Sequence, residues 1–459
     1  MYAPLRFFRA LYIQSREEED SIEKNERRIA ELIAAIEAKE YDKEEQWADL
    51  PSPPLETIYS FLNRKDQINM SQVCRKWFEE FSSPSVWETF MFDLLDTCPE
   101  IKFARKYSSM FRHVVIVYTE FHHTTSWRNL KDFLHILTST SQLLSVKLLN
   151  LRKYFPLLDT PIRDDIFRAI TSLLESQRHL RRVEFHGCSF RYQEVVELLK
   201  GITENSRESL THLVLRERVV RQDSVVDQCL LTLVNQRFPR LKTLEIDYSL
   251  IFEHIFAAIG ALKSCQMRAL SKMILHCHGC AKGNFRGLTS KNWRILKHLC
   301  PDLQVELHFM SSNQSLQELE FFIVPDMPII LLRCEFIWES IMEIDALLNH
   351  LLKCNINHHL VSLYLEWARP ILDLASTFIP FLLACTKLEC FHLFTMYPAN
   401  GVDLLVKSWL ENKPKSLEKV FIYFAKVEDE DDYANFNALA AECESLLQAA
   451  GLKAVIKIC

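Results

Sequence analysis

The residues best suited to chemistry are a thiol and imidazole group, Cys277-His278-Gly279-Cys280, with His298 and Cys300 downstream. Thiolates and imidazoles at such short spacing are the ligands zinc prefers. A zinc site, however, wants two close ligand pairs. Here the second pair is a His-x-Cys whose gap is too tight for a usual finger, and the first falls at the end of a strand-like segment. Free thiols in a loop are the simpler reading. No G-x-S-x-G, H-E-x-x-H or G-x-x-x-x-G-K-[ST] occurs anywhere. The segment G-C-A-K-G-N-F-R-G at 279–287 lacks the Lys-Ser/Thr step of a phosphate loop. The chain holds only 8 glycines in 459 residues, about a quarter of ordinary usage. That counts against dinucleotide and P-loop enzymes. Arg178, Arg181 and Arg182 make a small basic cluster, short of the contiguous stripe that nucleic acid needs. A non-catalytic chain with no cofactor is therefore expected.

Composition is that of a globular protein, with 48% hydrophobic and 25% charged residues and a net charge of −6. Residues 1–46 carry 8 basic and 12 acidic side chains, so −4 of that charge sits there. No apolar run reaches the ~18 residues of a membrane span. Met1 to Gln14 contains Arg6 and Arg9 without a long apolar core, so no secretory signal is expected. The 14 cysteines are then expected to be reduced thiols in the cytosol or nucleus. Within 15–46, Ile22, Ile29 and Ile36 recur at seven with Leu32 on the same face. The pattern fits a solvated helix, or a short coiled coil giving weak self-association.

The stretch W-A-D-L-P-S-P-P-L-E-T-I-Y-S-F-L-N-R-K-D-Q-I-N-M-S-Q-V-C-R-K-W at 47–77 reads as a compact helical module. Pro51, Pro53 and Pro54 open a helix, where a missing N–H costs nothing. Leu55, Ile58, Phe61 and Leu62 follow at helical spacing, and Asn63 and Asp66 punctuate before a second helix with Ile68, Met70 and Val73. Leu50-Pro51, Ile58, Leu62, Asp66, Val73-Cys74, Trp77 and the later Trp87 stand where an F-box has them, so the module resembles the F-box. Gln67 and Gln72 occupy positions that are usually apolar. The resemblance implies a Skp-type adaptor as partner, and through it cullin and RING subunits of a ubiquitin ligase. It implies adaptor contacts at Leu50, Pro51, Leu55, Ile58 and Leu62.

From about 110 onward a signature of the form L-x-x-L-x-L starts at Phe111, Leu143, Leu180, Leu210, Leu241, Leu270, Leu303, Ile329, Leu360, Leu388 and Leu417. Spacings run from 26 to 37 residues, and the unit at 303 is off-register by about one. Helical patterns lie between, such as D-D-I-F-R-A-I-T-S-L-L-E and V-D-L-L-V-K-S-W-L. Each unit exposes an apolar side that only a neighbour can cover. This resembles a leucine-rich-repeat horseshoe of the long α/β kind. The turn position that usually carries Asn or Cys is Cys188 in one unit but Arg218, Ser249, His278, Ala368, Met396 and Ala425 elsewhere.

The expected architecture is α/β: a polar helical segment at 1–46, a small all-α F-box module at 47–92, and divergent leucine-rich repeats with a C-terminal cap at 93–459. The combination resembles F-box-only proteins with cryptic repeats, with the branch of F-box-only proteins 33 and 39 nearest. It implies a target-recognition subunit of a Skp–cullin–F-box ligase. An adaptor-independent interaction scaffold is the alternative.

Strand side chains alternate between faces. One face should therefore carry Arg182, Glu184, His186, His212, Arg216, Thr243, Glu245 and Asp247 early. Late in the chain it should carry Tyr364, Glu366, His392, Phe394, Phe421 and Tyr423, the expected target contacts. A C-terminal helix after 433 could instead cover Phe394, Phe421 and Tyr423. The acidic run Glu428-Asp429-Glu430-Asp431-Asp432 reads as a solvated loop.

Overall fold

A computed structural model describes residues 47, 50–94, 100–118, 126–151, 155, 158, 160–216, 238–248, 269–278, 288–311, 316–336, 343–398, 400–425, 427 and 429–458. The expected helix at 15–46 and the Cys280 position lie outside the described residues. The chain divides into two compact units, Met1–Val86 and Trp87–Cys459.

The described part of the first unit is helical. Helix α1 (Ser52–Phe61) starts after Pro51, with proline in its first turn. Helix α2 (Arg64–Ser71) is capped by Asn63, whose side chain accepts from the Asp66 N–H. Helices α3 (Arg75–Phe81) and α4 (Pro84–Trp87) follow. The buried side chains Leu55, Tyr59, Met70 and Phe81 form the centre. Tyr59 Oη donates to the Trp77 carbonyl at 2.7 Å, tying α1 to α3. Two further bonds, Ser52 to Glu80 and Ser83 to Glu56, both 2.5 Å, lace the same elements.

The second unit is one parallel sheet of thirteen described strands, each hydrogen-bonded to the next in chain order. They are β1 (Thr89–Asp93), β2 (His113–Val117), β3 (Ser145–Leu149), β4 (Arg182–His186), β5 (His212–Arg216), β6 (Thr243–Asp247), β7 (Lys272–His278), β8 (Gln304–Ser311), β9 (Ile329–Phe336), β10 (Ser362–Pro370), β11 (Cys390–Met396), β12 (Lys419–Ala425) and β13 (Lys453–Ile458). A parallel sheet in chain order, with a crossover between neighbours, is the topology of a repeat array. Nine of the eleven signature positions sit two residues before a strand. The unit at 303 is displaced by one, and the pairing of β8 with β9 shifts between Val305 and Glu306, so that Ile330 is the extra residue of a bulge.

Between strands lie the described helices α5 (Glu100–Tyr107), α6 (Ser126–Thr140), α7 (Thr160–Ser176), α8 (Tyr192–Asn205), α9 (Ser290–Leu299), α10 (Leu316–Phe322), α11 (Ile344–Lys353), α12 (Leu374–Ala384), α13 (Val402–Glu411) and α14 (Glu430–Ala449). None is long and apolar enough to cross a membrane. Helix α6 packs on α7, α7 on α8, and α12 on α13. They cover one sheet face, whose side chains are fully buried: Val146 and Leu148, Val183 and Phe185, Leu213 and Leu215, then Leu363 and Leu365. Rings close the core at both ends. Trp87 stacks on Tyr107 at 4.1 Å and Phe90 on Phe111 at 4.4 Å. Near the other end Phe424 meets Phe436 at 4.6 Å. Trp87 and β1 thus belong to the sheet unit, the second of the two compact units.

Cys188 is buried, and its thiol donates to the Leu148 carbonyl of the neighbouring repeat at 3.6 Å. Helix α14 ends in a Schellman turn, with Leu452 N–H donating to Leu447 and Gly451 N–H to Gln448. Gly451 takes φ +78° there, which lets the chain turn directly into β13.

Candidate docking surfaces

In the helical unit the five expected contact residues separate by burial. Pro51 is exposed, and Leu50, Ile58 and Leu62 are half-buried. Leu55 is fully buried inside the unit. It is a core residue and presents nothing to a partner, which corrects the expectation for that position. Exposed apolar surface also comes from Trp47, Val73 and Phe78, at 70%, 62% and 50%. Val73 lies in the bend between α2 and α3, and Phe78 lies on α3.

Gln67 explains itself. Its amide donates to the Tyr59 carbonyl at 2.7 Å, satisfying a group at the end of α1. The buried amide therefore replaces an apolar residue without emptying the core. Gln72 is exposed. Tyr59 was not foreseen, although it lies one turn beyond Leu55. Burial, with the nearby Cys74 and Glu80 charges, pushes its hydroxyl up to about 12.

In the sheet unit the face opposite the helices is polar. Its early half is a chain of ion pairs. Glu184 is 4% exposed and receives Lys147 at 3.2 Å, His186 at 2.9 Å and the Arg182 guanidinium. Burial alone would raise its carboxyl. The hydrogen bonds of His186 and Arg182 and the charge of Lys147 override that and hold it down at about 2. Two strands on, Glu245 takes Arg216 at 3.5 Å and His276 at 2.7 Å. Burial disfavours the His276 cation more strongly than Glu245 supports it, so its pKa falls below the usual imidazole value. A neutral His276 then donates its Nε2–H to the carboxylate. Lys272 meets Glu306 at 2.7 Å.

The late half is aromatic. Parallel register places Tyr364 opposite His392 and His392 opposite Phe421, with Glu366, Phe394 and Tyr423 in the next row. The structure thus brings all six expected target contacts onto one face. His392 lies at the centre, with its ring 5.5 Å from Tyr364, 6.1 Å from Phe421 and 5.3 Å from Tyr423. His392 and Phe421 are buried, at 8% and 7% exposure, and the others half-buried. Helix α14 does not supply that burial among the described residues. Its Phe436 packs on Phe424 and Tyr397, and Phe424 belongs to the opposite, helix-covered face.

Of the thiol and imidazole candidates, Cys277 and Cys300 are buried and His298 is exposed. Burial pushes the Cys277 thiol up, with Asp247 adding to it, and Cys300 up to about 11. Both oppose the thiolate that a metal or a nucleophile requires. No metal-holding group occurs among the described residues.

Comparison with known families places one match on this chain. The profile of the F-box-like family matches residues 47–93, so the chain carries an F-box-like domain there. The match covers the helical unit and runs through Trp87 and β1. No curated protein matches the chain.

Proposed function

We propose that this chain is the target-recognition subunit of a Skp adaptor–cullin–F-box ubiquitin ligase and performs no chemistry itself. The F-box-like domain would dock the adaptor, which in turn joins cullin and RING subunits. The observation that carries the reading is the F-box-like match at 47–93 on a helical unit that leaves Leu50, Pro51, Ile58 and Leu62 wholly or partly accessible. These four are the proposed adaptor contacts.

The thirteen-stranded array is read as divergent leucine-rich repeats that recruit the target in the cytosol or nucleus. Its polar face supports this reading. Tyr364, Glu366, His392, Phe394, Phe421 and Tyr423 converge there, and aromatic side chains dominate the energetics of protein interfaces.

The test is capture of the full chain by a purified Skp adaptor, with wild type and a Leu50→Ala/Pro51→Ala double variant. Wild type should be retained and the variant lost, with both folded by circular dichroism. Folded wild type that fails to bind would sink the ligase reading in favour of an adaptor-independent scaffold.

A further inference from the structure

Three features of the sheet unit remain unused by the reading above: the buried thiols of β7 to β9, the ion-pair network of β3 to β7, and a pair of nitrogens at the junction of the two halves. The thiols Cys277 and Cys334 are buried and held protonated. In the network each cation meets an acid. At the junction the cation does not.

Arg333 on β9 stands opposite His308 on β8 in the parallel register, and Tyr364 on β10 stands opposite Arg333. The Arg333 guanidinium lies over the Tyr364 ring, 5.0 Å from its centroid. His308 lies 4.8 Å from the ring of His276. Arg333 Nε and His308 Nε2 are both shielded from solvent and without a hydrogen-bond partner. Elsewhere on this face cations meet acids: Lys147 and Arg182 with Glu184, Arg216 with Glu245, Lys272 with Glu306. Among the described residues Arg333 has no such partner.

We propose that Arg333 and His308 form a seat for one side-chain carboxylate of the bound target, with Tyr364 as the platform that orients the guanidinium. The inference rests on the array being the target-binding part of the chain. Three observations support it. A guanidinium stacked on a ring keeps its edge for a planar acceptor, which a carboxylate matches. A buried donor without an acceptor carries a cost that an incoming acceptor removes. Both residues are half-buried, so part of each side chain faces solvent, and a small turn about the arginine stem gives Nε the acceptor it lacks.

The charge count selects a monoanion. His308 stays neutral, because burial and the neighbouring His276, Arg333, Arg216 and Lys272 push its pKa down to about 2. In the tautomer that carries its proton on Nε2, the seat offers one full positive charge and one neutral donor. Glu335 lies two residues beyond Arg333, and Glu366 two beyond Tyr364. A dianionic phosphate would meet those acids with a second, unmatched charge.

The experiment selects a random-peptide phage library on the full chain. The enriched peptide is then synthesised with both ends blocked and titrated by fluorescence anisotropy. We expect a fixed Asp or Glu in the enriched peptides. Replacing that acid by its amide, or making Arg333→Met in the protein, should each weaken binding about tenfold or more. Combining the two changes should add little to either alone. His308→Phe should weaken binding less, about threefold. An unchanged melting temperature shows that each variant folds. Enriched peptides without an acid, an empty selection, undiminished binding by Arg333→Met, or tighter binding when the fixed acid of the peptide is replaced by phosphoserine would each overturn the seat. Adaptor capture is measured on the same samples. Peptide binding without adaptor capture sinks the ligase reading and leaves the seat standing; the converse sinks the seat alone.

Discussion

The polar face of the sheet solves one problem in two ways. From β3 to β8 its glutamates are buried or half-buried beside cations on the same or neighbouring strands, as with Glu184 among Lys147, Arg182 and His186. From β9 to β12 the face is built of rings around His392, and Arg333 lies on Tyr364 rather than against an acid. The strands are the same kind of scaffold in both halves. What differs is the kind of contact, charge against charge in one half and ring against ring in the other. The buried Arg333 Nε at their junction is where an added acceptor lowers the free energy.

The largest effect separates the two faces of the late strands. Trp367 points to the core face of β10, is 3% exposed and sits 4.7 Å from Phe336. Trp367→Ala should cost about 3–5 kcal/mol in urea unfolding. Phe394→Ala, on the half-buried polar face of β11, should cost less than about 1.5 kcal/mol. Equal losses would mean that both faces are core and that the late half is no surface at all.

The early half should reveal itself in acid. The Glu184 pKa is depressed from 4.5 to about 2. Its stabilisation is therefore fully present above about pH 4.5 and is lost as pH falls toward 2. A shift of that size corresponds to about 3 kcal/mol by linkage. Lys147 and Arg182 are 37% and 53% exposed, so solvent screening reduces this to about 2 kcal/mol. Glu184→Gln should then destabilise the chain by that amount at pH 6, and the gap to wild type should close by pH 2. A gap that does not vary with pH would show that the carboxylate acts by packing and not by charge.

Much of this architecture was legible because a parallel array repeats one apolar spacing. Leu180, Leu210 and Leu360 each announce a strand two residues later, whereas the shift of register between β8 and β9 arises at Ile330. The ends were harder. Strand β1 carries Thr89-Phe90-Met91-Phe92-Asp93 and β13 Lys453-Ala454-Val455-Ile456-Lys457-Ile458, neither led by the full leucine signature. The pairing of Glu245 with His276 was illegible, because 31 residues separate them and only parallel register makes them neighbours. Alternation correctly assigned His392 and Phe421 to the polar face. It could not tell that they are buried there, since alternation fixes the direction of a side chain and not how much surrounds it. The same limit applied to Leu55, whose helical spacing fits an inward and an outward role equally.

The smallest effect falls on Tyr364, where the two halves meet. Its ring bears the Arg333 guanidinium, and its hydroxyl accepts a long bond, 3.7 Å, from the Cys390 thiol. Tyr364→Phe keeps the ring and loses that weak bond, so stability should change by less than about 0.5 kcal/mol. Tyr364→Leu keeps an apolar side chain but removes the π face, worth about 0.5–1 kcal/mol where a cation sits over it. If the ring acts as the guanidinium's platform, Leu should lower the urea midpoint more than Phe does. The difference should vanish when both changes are made on an Arg333→Met background. A difference that survives there would show that Tyr364 matters through its contact with His392, and that the aromatic half supports itself as fully as the charged half does.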